Sequence, residues 1–470
     1  MKENINSLLL NKDSSIKETM KVIDANGLGT AFIVDKSKKF FGVVTDGDIR
    51  RAILRGIDIK RPIREIANRK PITIGYSDKS DEMESSKLKV VEKIKKGVPI
   101  LVTNGFLKIP IIDKNGKVRD IFFAHIDGKN NLGGPAISPK IKKARVGKVL
   151  LIGGAGYLGS VLCRRLLNRG YRVRVLDNLS YGEGGIKDLY KNKKFELLKG
   201  DIRNISDVVE GIKGMDAVIH LAAIVGDPAC AVDTRKTLEI NYLATKTITE
   251  ICKYFQINRF IFASSCSVYG QSNSSNNKLT EQSPLNPVSL YAETKIKCEQ
   301  SILEAMDENF SPTILRMATL YGHSPNMRFD LAINILTAKA FFEKQIPIFG
   351  GNQWRPWLHL EDAADAYIKC LEKSIEKIKG EVFNVVSENY KIIKIGKIIN
   401  SVFPEANIII SDKITDKRDY NVSFDKIVKA LAYHPKKNVI GGVLKIREAI
   451  DKGVVKDYKD EKYRTILPQL

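Results

Sequence analysis

The chain has 470 residues, 43% of them hydrophobic, enough for more than one domain with a sizeable core. Its formal charge is +23, but the basic residues are mostly scattered Lys with no Arg/Lys block interleaved with aromatics, which argues against nucleic acid; phosphorylated ligands fit the charge as well, a Lys-rich solvated surface is the plain alternative, and membrane association is left open. No run approaches 18 apolar residues, the start MKENINSLLLNKD lacks a signal-peptide core, and Cys163, Cys230, Cys252, Cys266, Cys298 and Cys370 form no C-x-x-C pair. A cytoplasmic chain with reduced thiols, no metal site and no transmembrane segment is expected.

Residues 1–127 alternate short helical and strand patterns. IKETMKVIDANGL predicts a helix ending at Gly27, TAFIVD and FFGVVTD predict strands around the turn KSKK, and DIRRAILRG predicts a helix from Asp48 to a stop at Gly56. A similar order recurs: the helical ESSKLKVVEKIKKG, then ILVTN, LKIPIID, NGKVRDIFF and AHID. The two copies resemble a pair of cystathionine β-synthase (CBS) motifs, on GVVTDGDIRRAI (42–53) and IPIIDKNGKVRDIFF (109–123). The resemblance implies that Thr45 and Asp48 hold the ribose and phosphates of an adenine nucleotide; the alternative is that they only cap the helix. In the second copy Phe123 and Ile126 replace the hydroxyl and the carboxylate, so one nucleotide per pair is expected. DGKNNLGGPAISPKIKKARVGK has no helical period, and residues 128–146 read as a linker.

Residues 147–470 open with KVLLIGGAGYLGSVLCRRLLNRGYRVRVLDN. Lys148–Ile152 suits a buried parallel strand, Gly153, Gly154, Gly156 and Gly159 follow, and a helix is predicted from Tyr157 to Asn168. Glycines permit a sharp turn and close approach of backbone to a pyrophosphate, and the helix start at Gly156, Tyr157 and Leu158 offers free N–H groups. Gly159 allows tight helix packing, and Asp177, 18 residues later, is placed to accept from an adenosine ribose. Asn178 follows rather than a basic residue, and a carboxylate repels a 2′-phosphate, so NAD is favoured over NADP. Strands at FELLKG, MDAVIHLAA and RFIFASS, with RKTLEINYLATKTITEICKYF as a long helix, predict a doubly wound parallel α/β sheet. Asp201 with Ile202, and Leu221, Ala222 and Ala223 after His220, fall at its C-terminal strand ends, where the cofactor would lie; capping is an equal reading of Asp201, and His220 reads as structural.

ASSCSVYG ends the RFIFASS strand, and SLYAETKIKCEQSILEAM predicts a helix with Tyr291 and Lys295 on one face. A free phenol titrates near ~10, too high for a base at neutral pH. A nearby ammonium and a cationic nicotinamide would lower that value, and Ser265 would hold the reacting oxygen.

These segments, with ILRMATLYG (314–322) and WRPWLHLEDAADA (354–366), resemble the extended short-chain dehydrogenase/reductases, the nucleotide-sugar epimerases and dehydratases. The resemblance implies a Rossmann-like sheet, a smaller substrate lobe mostly within 323–470, and a homodimer formed through helices 235–255 and 286–307. It implies Ser265, Tyr291 and Lys295 as catalytic residues and Arg355 as the diphosphate-binding arginine, with Arg328 a second anion contact or a surface residue. Asp227 and Cys266 are expected to face the sugar. Pro356 stands where an acidic residue is usual, and Cys266 and Ser267 stand where dehydratases carry an acidic pair, which disfavours loss of water. The expected reaction is C4 epimerisation of a nucleotide-diphosphate sugar through a keto sugar. The alternatives are a net 4-oxidase/reductase or dehydratase and, in another class, a non-catalytic NAD or nucleotide sensor.

Overall fold

The computed structural model describes residues 8–26, 30–45, 48–49, 51–52, 55–95, 106–125, 146–271, 278–306, 310–411 and 418–463. Its contacts group into two compact units, residues 1–143 with 203–209, and residues 144–202 with 210–470. Gly27, the ILVTN segment, Ile126 and nearly all of the expected linker lie outside the described residues. Among the described residues no helix is long and apolar enough to cross a membrane.

In the first unit the sequence repeat is visible in the backbone. Strands β1 (Leu9–Asn11), β2 (Thr30–Val34) and β3 (Phe40–Thr45) form one sheet; β4 (Ile74–Gly75), β5 (Phe106–Ile112) and β6 (Val118–His125) form another. Each has a parallel pair followed by an antiparallel hairpin. The register slips at Ile33/Val34 in one hairpin and at Ile111/Ile112 in the other. Both turns are closed by the same device. Asp35 Oδ1 accepts from the N–H groups of Ser37 and Lys39, and Asp113 Oδ1 from those of Asn115 and Lys117, at 2.8–2.9 Å.

The second unit holds β7 (Lys148–Ile152), β8 (Arg172–Asp177), β9 (Phe195–Lys199), β10 (Ala217–His220), β11 (Arg259–Ser265), β12 (Ser311–Met317), β13 (Thr319–Tyr321), β14 (Gln345–Phe349), β15 (Trp354–His359), β16 (Glu381–Val385), β17 (Glu388–Lys391) and β18 (Asn407–Ser411). Seven strands form one sheet in the order β16-β12-β11-β10-β7-β8-β9, parallel throughout. The chain runs outward from β7 to β9, then restarts at β10 on the other side. That reversal opens a crevice beyond the C-terminal ends of β7 and β10. β10 is only four residues long, because the N–H groups of Leu221 and Ala222 both turn onto the Ile152 carbonyl.

The helix predicted from Ser289 runs Leu290–Glu304, and the Ser289 side chain accepts from Ala292 N. The long helix before β11 contains a π-helical stretch, Leu238–Leu243. β13, β15 and β17 form a small sheet and β14 pairs with β18. Helices Ala332–Phe342, Ile392–Val402 and Val439–Asp451 share a second core with these strands, built on Ile333, Ile346, Trp357, Ile395 and Val443. β16 leaves this lobe and returns to the edge of the large sheet beside β12.

Helix Tyr157–Asn168 is tied to helix Leu360–Glu372 by charge. Arg165 reaches Asp365 at 2.6 Å and Glu361 at 3.4 Å, and Glu361 also takes Lys437 at 3.1 Å and Lys445 at 3.0 Å. Burial raises the Glu361 carboxyl, but the hydrogen bonds from Lys445 and Lys437 win and hold it at about 2. A carboxyl lowered by folding stabilises above its unfolded value and loses that contribution as it is protonated. The difference in urea midpoint between the protein and Glu361→Gln is therefore expected to shrink as pH falls from 4.5 towards about 2. A difference that stays constant over that window would show that these ion pairs add nothing.

Candidate active site

Gly153 follows β7 with φ +82°, and a Cβ there would lie 2.7 Å from Ala222 N. A Cβ at Gly159 would lie 2.3 Å from the Gly153 carbonyl oxygen, so helix Tyr157–Asn168 is pressed directly onto the turn. Gly156 caps that helix without a side-chain hydrogen bond. Any side chain there would fill the space over the helix start. These residues fit the diphosphate of a dinucleotide, which needs backbone N–H groups and no side chain in the way. Gly159→Ala is expected to cost about 1–3 kcal/mol of stability and to lower NAD content. Urea unfolding and cofactor absorbance check both, and unchanged values would mean that the helix can move off the turn.

Asp177 ends β8, and its two oxygens accept from Ala155 N and Leu179 N, each at 2.9 Å. Burial raises this carboxyl against those bonds. The acid thus braces the glycine turn. Asn178 bends the chain after it, accepting from Ser180 N and Oγ. Ala222 and Ala223 are partly exposed beyond β10; Asp201 is partly buried and Ile202 buried beyond β9. Leu158 is partly buried, while Tyr157 is buried and turns its ring away from the turn, donating its hydroxyl to the Gly322 carbonyl at 2.7 Å.

β11 ends at Ser265, whose Oγ accepts from Ser267 N at 3.1 Å. The Ser265 side chain lies close enough to Tyr291 to act on its phenol, so the structure brings these two together. Lys295 Nζ donates to the Ala263 carbonyl at 2.7 Å and lies 5.7 Å from the Tyr291 ring centroid. The expected lowering of the phenol by Lys295 is not found in the chain itself. Burial raises Tyr291, Cys230 adds to that, and the Ser265 hydrogen bond and the Arg328 charge only oppose it. Burial likewise lowers Lys295. Behind it, His220 bonds Thr245 Oγ1 at 3.0 Å and is pushed by burial down to about 3, a neutral imidazole fixed in the sheet.

Asp227, whose charge acts on Tyr291, opens a short helix after Gly226, whose φ is +97°. One Asp227 oxygen is buried without a partner, and the other lies 3.6 Å from Arg418. Asn241, on the π-helical stretch, clamps this loop by accepting from Ile224 N at 2.8 Å and donating to its carbonyl at 2.9 Å. The Ser267 hydroxyl is also buried without a partner. Cys266 does not face the sugar side as expected. It is 1% exposed in the main core and donates its thiol to the Arg316 carbonyl, because β11 ends one residue earlier and the chain then turns inward.

Arg355, in β15, is buried, donates to the Trp354 carbonyl at 2.8 Å and lies over the Tyr420 ring. Trp354 N donates to Asp419 at 2.9 Å and Tyr420 N to Trp354 O at 3.2 Å, which stitches Arg418 beside β15. Sequence reasoning passed over Arg418; its one signal was the KRDY cluster after an Ile-rich strand. Arg328 grips Asp330 with two bonds, at 3.0 and 2.5 Å, and its side chain is mostly enclosed, so it is not a surface arginine. In the first unit, Thr45 Oγ1 and N both donate to Asp48 Oδ2, at 2.7 and 2.9 Å, and Asp48 also takes Arg51. With Asp48 N donating to Thr45 Oγ1 at 3.3 Å, the two residues make the reciprocal side chain–backbone bonds of a cap.

The parallel sheet, its glycine turn and the serine-tyrosine contact define an enzyme of the extended short-chain dehydrogenase/reductase class. The chain belongs to the NAD dependent epimerase/dehydratase family, whose profile matches residues 149–385, and a CBS domain profile matches residues 4–55. It is 27% identical to UDP-glucose 4-epimerase of Bacillus subtilis over 278 residues, 54% of this chain and 81% of that one. The structure of UDP-glucuronic acid 4-epimerase from Bacillus cereus, in complex with UDP-glucuronic acid and NAD, is similar at 27% identity and a TM-score of 0.58, over 65% of this chain and 99% of that one. A dTDP-glucose 4,6-dehydratase from Bacillus anthracis, in complex with NAD, shares the fold at 22% identity and a TM-score of 0.59, over 66% of this chain and 98% of that one.

Proposed function

We propose that the chain interconverts C4 epimers of a nucleotide-diphosphate sugar, UDP-hexoses being the first candidates because the epimerases it resembles are named for UDP-sugars. In this reading Gly153, Gly156, Gly159 and Asp177 hold NAD, which when bound supplies two-electron redox chemistry at the sugar carbon. Tyr291 takes the proton of the C4 hydroxyl and returns it, Ser265 orients that oxygen, and Lys295 holds positive charge beneath the ring. Arg355, in β15, and Arg418, beside it, are suited to a diphosphate, and the unpartnered oxygens of Asp227 and Ser267 to sugar hydroxyls.

The observation that favours epimerisation over dehydration is at residues 266 and 267. The thiol of Cys266 is buried on Arg316, and Ser267 is no acid, so neither can protonate a departing hydroxyl. Purified protein incubated with UDP-hexoses and no added NAD, followed by NMR, should equilibrate the epimers. Loss of water, or NADH formed in step with product, would overturn the reading. We also infer that residues 1–127 form a regulatory CBS-motif domain; deletion of residues 1–130 with kinetics unchanged by adenine nucleotides would refute this.

A further inference from the structure

One carboxylate stands between the phenol of Tyr291 and the two arginines at β15. Helix Asp227–Val232 packs against helix Leu290–Glu304, which carries Tyr291 in its first turn. Asp227 also lies 3.6 Å from Arg418, and Arg418 is held beside β15 and Arg355 by the bonds of Asp419 and Tyr420 to Trp354. In a hexose ring C1 and C4 are opposite corners. A nucleotide sugar with its C4 hydroxyl at Tyr291 and its diphosphate at Arg355 and Arg418 therefore lays its ring along Asp227. C6 is joined to C5, the neighbour of C4, so it falls at the same end as the phenol.

The cations at this end already have acceptors. Lys295 Nζ donates to the Ala263 carbonyl at 2.7 Å, Arg328 takes both oxygens of Asp330 at 3.0 and 2.5 Å, and Arg418 shares Asp227. Asp227 Oδ1 and Ser267 Oγ, by contrast, are buried and have no partner among the described residues. A buried carboxylate oxygen without a donor is costly, and a ligand hydroxyl beside it removes that cost. A ligand carboxylate in the same place brings like charge to Asp227, with the single Ser267 hydroxyl to receive it.

Resting on the reading of this crevice as a sugar-nucleotide site, we propose that Asp227 is a specificity-determining residue: it selects a hexose that presents hydroxyl groups and turns away a uronic acid, whose C6 carboxylate would meet it. The substrate class is then a neutral nucleotide hexose.

Calorimetric titration tests this on the full, NAD-loaded chain carrying Tyr291→Phe, so that no ligand is turned over. UDP-glucose and UDP-glucuronic acid differ only at C6, so the ratio of their affinities cancels what the diphosphate contributes. UDP-glucose should bind about tenfold or more tightly than UDP-glucuronic acid, the least expected of a desolvated like-charge contact. Adding Asp227→Asn, which keeps the shape and removes the charge, should bring that ratio close to one, a change that general loosening of the fold does not produce. Asp227→Ser takes its place if the asparagine variant does not fold. A ratio at or below one with Asp227 present, or a gap that survives both substitutions, overturns the proposal and leaves the site reading intact. A chain that binds neither ligand overturns both.

Discussion

Tyr291→Phe is expected to lower sugar-nucleotide conversion by about 10²–10⁴-fold while the protein keeps its NAD. The substitution removes one oxygen and leaves the ring, so the helix Leu290–Glu304 and its Ser289 cap are untouched. What is lost is the hydroxyl beside Ser265 at the end of β11. Phenylalanine cannot take a proton, and the remaining Ser265 hydroxyl is far too weak a base to replace it. Conversion followed by NMR and cofactor measured by absorbance check the two halves of the expectation separately. Turnover that persists in Tyr291→Phe would remove the phenol from the chemistry and revive a binding-only role for the chain.

Glu299→Ala is expected to cost about 3–5 kcal/mol, the ordinary consequence of leaving a buried charge without its partner. Glu299 and Arg316 are almost fully buried and meet at 2.7 Å. Ser264 donates to the same carboxylate, and Arg316 continues to the Tyr269 hydroxyl at 2.9 Å, which donates to Asn384 at 2.7 Å. The network joins β11, β12, β16 and the helix that carries Tyr291 and Lys295. Alanine would strand the guanidinium and release Ser264, the neighbour of Ser265, so activity should fall with stability. Both tryptophans, Trp354 and Trp357, lie in β15, so their fluorescence during urea unfolding reports on the second unit alone. The double change Glu299→Leu with Arg316→Met should cost much less than Glu299→Ala, because no unpaired charge remains. A double variant as unstable as the single one would show that packing, not charge, is what Glu299 supplies.

Much of this enzyme could be read from local pattern. The apolar runs KVLLI and RFIFASS are β7 and β11, the glycines and Asp177 meet at one turn, and Tyr291 and Lys295 share a helix face. Each of these depends on neighbours within a strand, a turn or two turns of helix, and backbone preference and periodicity act over that distance. The repeat in the first unit was legible for the same reason: two hairpins are closed by one Asp each at the same place.

What the tertiary structure decided is where side chains point once their elements meet distant partners. Cys266 faces the core because the Arg316 carbonyl is there to receive its thiol. Tyr157 faces Gly322 because Asn334 completes its hydrogen bonds. Arg418 comes to Asp227 because Asp419 is bound to β15, and the phenol of Tyr291 is raised because burial outweighs every nearby charge that would lower it. Desolvation and long-range pairing are properties of the assembled interior, and no stretch of chain contains them before it folds.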